Sequence, residues 1–489
     1  MNETPVRGKW RGLSVLALAQ LMITLDGTIV TIALPSTQTA LGMSDVDRAW
    51  VITAYALTLG SGLLLGGRVA DRYGRRRTLV IGLIGFAIAS GLGGAAAGGG
   101  MLIAARAAQG VFAAILSPST LSLLVTVYTG VCDRARALGV FSAVTGGGAG
   151  AGLLLGGVLT EYLDWRWCLY VNVPIALCAV LGALRYLPDP PGHRETAIDL
   201  PGAVLACAGF AALTYAFAEG TPKGWGSWEV LVIAAAAVGL LAAFVILQAR
   251  SRNPLLPLRI VTERNRAGSF LALGLTTFAT FGISLFATFQ LQDIMHYSPL
   301  MTGVAILPMV ATVFIASSQV ASRLMPRLSP RALLVPGIVL TGAAMLVLTR
   351  LTPTTSYAAG LLPAQILLGL GMALITAPAT GGVMSSVHPR DTGLVSAVMG
   401  TSRQLGGAIG AALANAVATA ATSAYLVSSH DSVAARVHGY AVASAWGAGI
   451  VILGALVVAV LANAGPPRAG SVVEPRSPAQ DTTAVDRTT

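Results

Sequence analysis

Fourteen apolar runs divide this chain, and no stretch between them exceeds about 20 residues. The runs fall near residues 12–35, 48–68, 78–98, 101–128, 138–160, 167–187, 198–219, 229–249, 267–292, 299–322, 332–349, 357–383, 393–420 and 440–463. A helix rises about 1.5 Å per residue, so about 20 apolar residues cross a hydrocarbon core about 30 Å thick. Inside that core every backbone N–H and C=O must be satisfied within the protein, which leaves helices or closed barrels. Runs of this length predict an all-α polytopic membrane protein with 14 transmembrane spans. The composition fits: 10% of residues are charged, against about 25% in a soluble domain. The first run is too long for a signal peptide, contains Asp26 and lacks a clear cleavage site.

The net charge of +11 could suggest nucleic acid. Here, however, the basic residues lie between apolar runs, so they report orientation instead. Counting alternate loops, 24 of the 31 Lys and Arg fall on the side that carries both termini and five on the other. The remaining two, Arg106 and Arg403, lie inside spans. The positive-inside rule then places both termini in the cytoplasm of a multi-pass plasma-membrane protein, with membrane lipid and no nucleic acid as its surroundings.

No loop could house a catalytic domain, and the tail 464–489, rich in Pro, Ser, Thr and Ala, is expected to be disordered. The four Cys show no metal or disulfide spacing, and the five His fall at loops or span ends. With no nucleophile–base pair, metal cluster or phosphate loop, an enzyme is not expected. Function must sit in the membrane.

A faint repeat organises the spans. Arg136 and Ser142-Ala143-Val144 recur as Arg390 and Ser396-Ala397-Val398, and Asp71–Arg77 aligns with Pro326–Arg331. The expected order is an N-terminal segment 1–11, a six-helix bundle 12–187, two inserted helices with flanking loops over 188–266, a second bundle 267–463, and the tail. Two related bundles with a site between them is a transporter plan.

The loop after the second span reads Gly67-Arg68-Val69-Ala70-Asp71-Arg72-Tyr73-Gly74-Arg75-Arg76-Arg77. It resembles the signature loop between helices 2 and 3 of the major facilitator superfamily. Gly67, Asp71, Arg72, Gly74, Arg75 and Arg76 are then expected to form a conformational latch, a carboxylate holding the positive end of another helix. Gly139, Gly148, Gly152, Gly156 and Gly157 in the fifth span are similar to the antiporter motif of that superfamily, although Leu153 stands where proline is usual. Leu25-Asp26-Gly27, Arg106-Ala107-Ala108-Gln109-Gly110, Asp164-Trp165-Arg166, Asn172-Val173-Pro174 and Ser402-Arg403-Gln404 resemble the 14-helix drug:proton antiporter branch. The resemblance spans about residues 12–463. It implies the major facilitator fold, a proton-coupled exporter of amphipathic drugs or antibiotics, no cofactor, and a monomer.

Asp26 is the one acid deep in a span, about 13 Å below Pro35. Arg106 lies about 8 Å past Met101 from the same side. A buried ionisable residue is a functional-site candidate by default, so Asp26 and Arg106 are expected to couple protons, with a static pair locking two helices as the bland alternative. One Asp against two Arg argues for neutral or weakly acidic cargo. Gln109, Phe278, Phe281, Phe289 and Arg403 are candidates for lining its cavity, with a lipid-facing aromatic stripe as an equal reading of the three Phe, which share a helical face. Export of an endogenous metabolite (amino acid, siderophore or lipid) and a transport-dead membrane sensor stay open as alternatives.

Overall fold

A computed structural model of the chain describes residues 6–462, apart from 129, 190–191, 193–198, 225, 252–253, 326, 386, 388–390 and 430. The tail 464–489, Pro326 and Arg390 lie outside the described residues. The described part is all-helical: α1 Val6–Leu41, α2 Asp45–Tyr73, α3 Arg75–Gly94, α4 Gly99–Val127, α5 Val131–Tyr162, α6 Trp167–Tyr170, α7 Asn172–Tyr186, α8 Leu200–Lys223 and α9 Trp228–Arg250. There follow α10 Arg259–Thr262, α11 Arg264–Phe289, α12 Pro299–Ile315, α13 Ser322–Leu324, α14 Pro330–Leu348, α15 Leu361–Ser385, α16 Thr392–Ser429 and α17 Ser432–Leu461. Among the described residues 13 helices are long and apolar enough to cross a membrane, and a bent pair within α5 raises the number to 14.

Local chemistry sets where helices begin. Ser44 and Asp47 form a reciprocal capping box at α2, satisfying N–H groups that a helix start leaves free. Asp199, Glu263, Ser298, Ser329 and Asp431 cap α8, α11, α12, α14 and α17 in the same sense. Between α2 and α3 stands Gly74 alone, at φ 99°, a backbone region that favours glycine. The expected outer loop 421–439 is mostly helix, since α16 runs to Ser429 and α17 starts at Ser432. Its Ala-rich sequence carries the helix past the apolar run.

Helices α1–α7 pack among themselves, as do α11–α17, and α8 covers α2 and α16 with α9 behind it. The two groups meet along α2 with α16 and α5 with α12. At the face rich in arginine, here the basic face, the α2–α16 approach is a backbone contact. A Cβ at Gly67 would stand 2.6 Å from the Gly393 carbonyl oxygen.

The fifth-span glycines perform a similar task within the first bundle. Cβ atoms at Gly148, Gly152 and Gly156 would collide with Thr24, with Thr28 and the Leu25 carbonyl, and with the Ile29 carbonyl. They therefore seat α5 on the stretch of α1 that carries Asp26. Gly139 lies 3.9 Å, by the same measure, from the Ser317 carbonyl oxygen, and Gly157 is buried. Helix α5 bends by 41° between Thr145 and Gly150. The bend falls on a glycine run rather than at Leu153, so glycine supplies a kink where the motif proline is missing.

Gly152→Ala should destabilise the protein by about 1–3 kcal/mol through overpacking. Gly147→Ala, whose Cβ would meet Val310 at an ordinary 3.5 Å, should cost much less. Denaturant titration in mixed micelles checks the difference; equal costs would remove the close α1–α5 approach from the account.

Candidate functional site

One polar cluster is sealed inside the first bundle. Asp26 of α1 and Arg106 of α4 are 0% and 1% exposed, and Arg106 Nη1 donates to Asp26 Oδ2 at 2.6 Å. The other carboxylate oxygen accepts from Gln109 Nε2 at 3.0 Å and from Asn172 Nδ2 at 2.8 Å. Both amides also donate to Ser90 of α3. Arg106 is held further by the Gln109 side-chain oxygen, by the Val51 carbonyl and by the Tyr55 ring, 4.3 Å beneath its guanidinium. Helices α4 and α7 thus place three polar side chains on the carboxylate of α1, Ser90 of α3 backs two of them, and α2 closes the remaining side.

The energetics explain the completeness. An ionised group in an apolar interior is tolerated only when paired and fully hydrogen-bonded. Asp26 has three donors, and its charge is balanced by Arg106. The Tyr55 hydroxyl and the Asn172 Oδ1 are buried without a hydrogen-bond partner, so the cluster keeps two polar atoms free beside the pair.

The structure brings Asp26, Arg106 and Gln109 together. Gln109, expected to line the cargo cavity, is fully buried in this network because its amide bridges Asp26 and Ser90. Asn172, Ser90 and Tyr55 were not singled out by sequence reasoning. Asn172 was visible only as part of a motif, and Ser90 and Tyr55 carry no signal of their own. Phe278 is core, its backbone close against Gly410 and its ring near Gly447, and Phe281 is half-exposed, its ring against Gly407. Their separate settings do not make the shared lining expected from helical spacing. The Phe289 side chain lies outside the described residues. Arg403 projects from α16, away from the Asp26 cluster.

A second polar contact joins the two groups of helices at the basic face. Asp71 Oδ1 and Oδ2 accept from the backbone N–H groups of Gly393 and Leu394 at the start of α16, each at 3.2 Å. Arg75 holds the same carboxylate at 3.3 Å and donates to Thr126 of α4. Arg76 bonds the Leu187 carbonyl and pairs with Asp189, while Arg72 lies over the Tyr73 ring. Ser122 and Thr392 hydroxyls meet at 3.0 Å beside them. A carboxylate on free N–H groups at a helix start is charge-assisted and favoured by the helix dipole.

Two helical bundles, a sealed carboxylate network in one of them and a polar seam between them define a membrane transporter rather than an enzyme. The chain belongs to the Major Facilitator Superfamily, whose sequence profile matches residues 16–411. It is 50% identical over 466 residues to the puromycin resistance protein pur8 of Streptomyces alboniger, covering 94% of this chain and 92% of that one. It is 34% identical over 409 residues to the cephamycin export protein CmcT of Amycolatopsis lactamdurans, covering 83% and 84%. A methylenomycin A resistance protein of Bacillus subtilis is 33% identical over 83% of this chain and 86% of its own. In fold it is similar to the crystal structure of the human organic anion transporter MFSD10, with a TM-score of 0.66, 17% identity, and coverage of 93% of this chain and 100% of that one.

Arg106→Gln should strip Asp26 of its counter-charge and destabilise the protein by about 3–5 kcal/mol. The double variant Asp26→Asn, Arg106→Gln should recover most of that loss, because two neutral amides remain. Thermal unfolding in nanodiscs measures both; no recovery in the double variant would show that the pair's charge balance is not what the cluster depends on.

Proposed function

We propose that this transporter is a proton-coupled antiporter that exports amphipathic drugs or antibiotics from the cytoplasm by alternating access. It works in the plasma membrane with both termini inside, as a monomer without a cofactor, driven by the proton gradient. One observation carries the proposal: the Asp26 carboxylate, deep in a span, is enclosed by Arg106, Gln109 and Asn172. The relatives support the cargo class, since their names couple them to resistance to, or export of, puromycin, cephamycin and methylenomycin A.

Two opposed effects act on such a carboxylate. Burial favours its neutral form, and a neighbouring guanidinium favours its charged form. If the change of state also loosens the Asp26–Arg106 contact within the first bundle, Asp26 takes up a proton from the outside. When the pair re-forms facing in, the proton leaves. Moving one charge through 100 mV yields about 2.3 kcal/mol, and one pH unit yields about 1.4. At roughly 150 mV and half a pH unit the total is about 4 kcal/mol, which sustains a gradient of about 10³ for a neutral solute.

In this scheme the Asp71 contact is the latch that closes the cytoplasmic side. A charge at a helix start is worth about 0.3–1 kcal/mol when exposed and up to about 2 when buried. Losing about 1–2 kcal/mol of it shifts a two-state population by roughly 5- to 30-fold. Asp71→Asn should therefore favour the inward-open state, and spin labels at the exposed Tyr73 and Leu328 should report a longer distance. An unchanged distance distribution would reduce the seam to a passive contact.

The central test is Asp26→Asn in a pump-deficient host challenged with a panel of antibiotics. Resistance and dye efflux should fall to the level of cells without the protein, while the variant remains in the membrane at normal abundance. Efflux that persists with its usual sensitivity to an uncoupler would show that Asp26 does not couple protons.

A further inference from the structure

Arg403 is the one intramembrane cation that the Asp26 network does not absorb. It stands on α16, eleven residues after Thr392, about 16 Å along the helix from the basic face. A lipid phosphate sits about 15 Å from the midplane of a bilayer, too far for the guanidinium to lie flat against the headgroups. Among the described residues it has no hydrogen bond or ion pair, and no carboxylate acts on it.

Helical geometry shows which way it faces. Along α16, Gly393, Ala397, Gly400 and Gln404 rest on α2, at Asp71, Gly67, Leu63 and Gly60. Ser402, Gly406 and Gly410 rest on α11, at Gly274 and Phe278. Eleven residues make three turns plus about 20°, so Arg403 shares a face with Thr392, whose hydroxyl meets Ser122 of α4. That face lies between the α2 and α11 contacts, on the α4 side of the helix. It borders the α11 contacts, where Gly407 also meets Phe281 and Thr277, on the side turned toward the seam between the two groups of helices. Ser396, two turns below Arg403 on the same face, is 5% exposed and its hydroxyl has no hydrogen-bond partner. Two unpartnered polar groups, one of them charged, thus line one stripe of the interior.

We propose that Arg403 binds an acidic group of the cargo, a carboxylate or an ionised phenol or enol, with Ser396 as a neutral partner nearer the basic face on the same stripe. This rests on the exporter reading and narrows its cargo to organic anions. An uncompensated guanidinium in an apolar interior is costly, and a carboxylate is its natural bidentate partner. With Asp26 and Arg106 already balanced, a monoanion brings the charge of the membrane interior to zero. The membrane potential, negative inside, then favours cargo exit by about 50-fold per 100 mV for each negative charge expelled.

The test uses 7-methoxycoumarin-3-carboxylic acid and its methyl ester, which share one ring system and differ in charge. Binding of each to the full chain in nanodiscs is measured by fluorescence for wild type, Arg403→Gln and Arg403→Lys, in chloride and in gluconate buffer. Wild type should bind the acid about 10- to 100-fold more tightly than the ester, the range of a charge-assisted hydrogen bond. Arg403→Gln should bind both alike, while Arg403→Lys should retain most of the preference and confirm that the site survives a substitution. No acid binding, no preference in wild type, or a preference that survives in Arg403→Gln overturns the proposal. So does loss of the preference in chloride alone, which would make this an inorganic anion site. The exporter reading is judged separately, by efflux in cells. Extrusion of uncharged compounds without any Arg403-dependent preference leaves that reading standing and removes this one; the absence of any efflux removes that reading.

Discussion

The buried ion pair of Asp26 and Arg106 is the constraint around which the first bundle is arranged. On lenient scales a charged side chain at the centre of a membrane helix costs about 2.5–3.5 kcal/mol. Two such charges are tolerable only if they meet, and meeting requires α1 and α4 to adjoin. Once they adjoin, the lone pairs and N–H groups left over must be answered as well. Gln109, Asn172, Ser90 and the Val51 carbonyl answer most of them, which fixes α7, α3 and α2. The glycines at 148, 152 and 156 then let α5 lie directly on α1. A buried polar network of this kind is high-stakes: complete, it specifies one packing, and a single missing partner makes it costly.

The seam between the bundles is built to a different scale. Among the described residues its polar ties at the basic face include the Asp71 contact, a hydroxyl pair and the Arg259–Asp391 pair. Each is worth on the order of 1 kcal/mol or less to about 2. The backbone contact at Gly67 and Gly393 adds close packing but no directional bond. A strongly specified bundle joined by a weakly specified seam has a natural place to move, because modest differential contacts suffice to shift such an equilibrium.

Much of this was legible in the sequence, and the parts that were not share a physical cause. Apolar runs revealed the spans because bilayer thickness fixes their length. Asp26 and Arg106 stood out because charge inside a span is rare. Asn172, Ser90 and Tyr55 did not, because neutral polar residues are common in membrane helices and only proximity distinguishes these from others. Gln109 was assigned to the cavity on the same ambiguity. Phe278 and Phe281 show the limit of helical periodicity, which says which residues share a face but not what that face meets. Helix extent beyond the apolar run, as at 421–429, was hidden because hydropathy marks the membrane and not the end of the helix. Leu153, standing where the motif has proline, left a kink in α5 in doubt; the glycine run at 146–148 carries one.

The inserted helices bear on how the seam can move. Arg68 of α2 donates to the carbonyls of Pro254 and Leu255, at 2.6 and 2.7 Å, from a largely buried position. Arg259, four residues beyond Leu255, pairs with Asp391 just before α16, but its side chain is 74% exposed. The segment after α9 is therefore tied to both bundles by unequal bonds. Two short charge-assisted bonds out of water are worth several times an exposed ion pair. The Arg259 tie is therefore the weaker of the two, and the segment is held more firmly to α2. Helix α8, whose start is linked to the same segment through Asp199, Gln248 and the Leu256 N–H, is then held to the first bundle. The insertion is therefore tied more strongly to the first group of helices than to the second, although α8 also packs on α16.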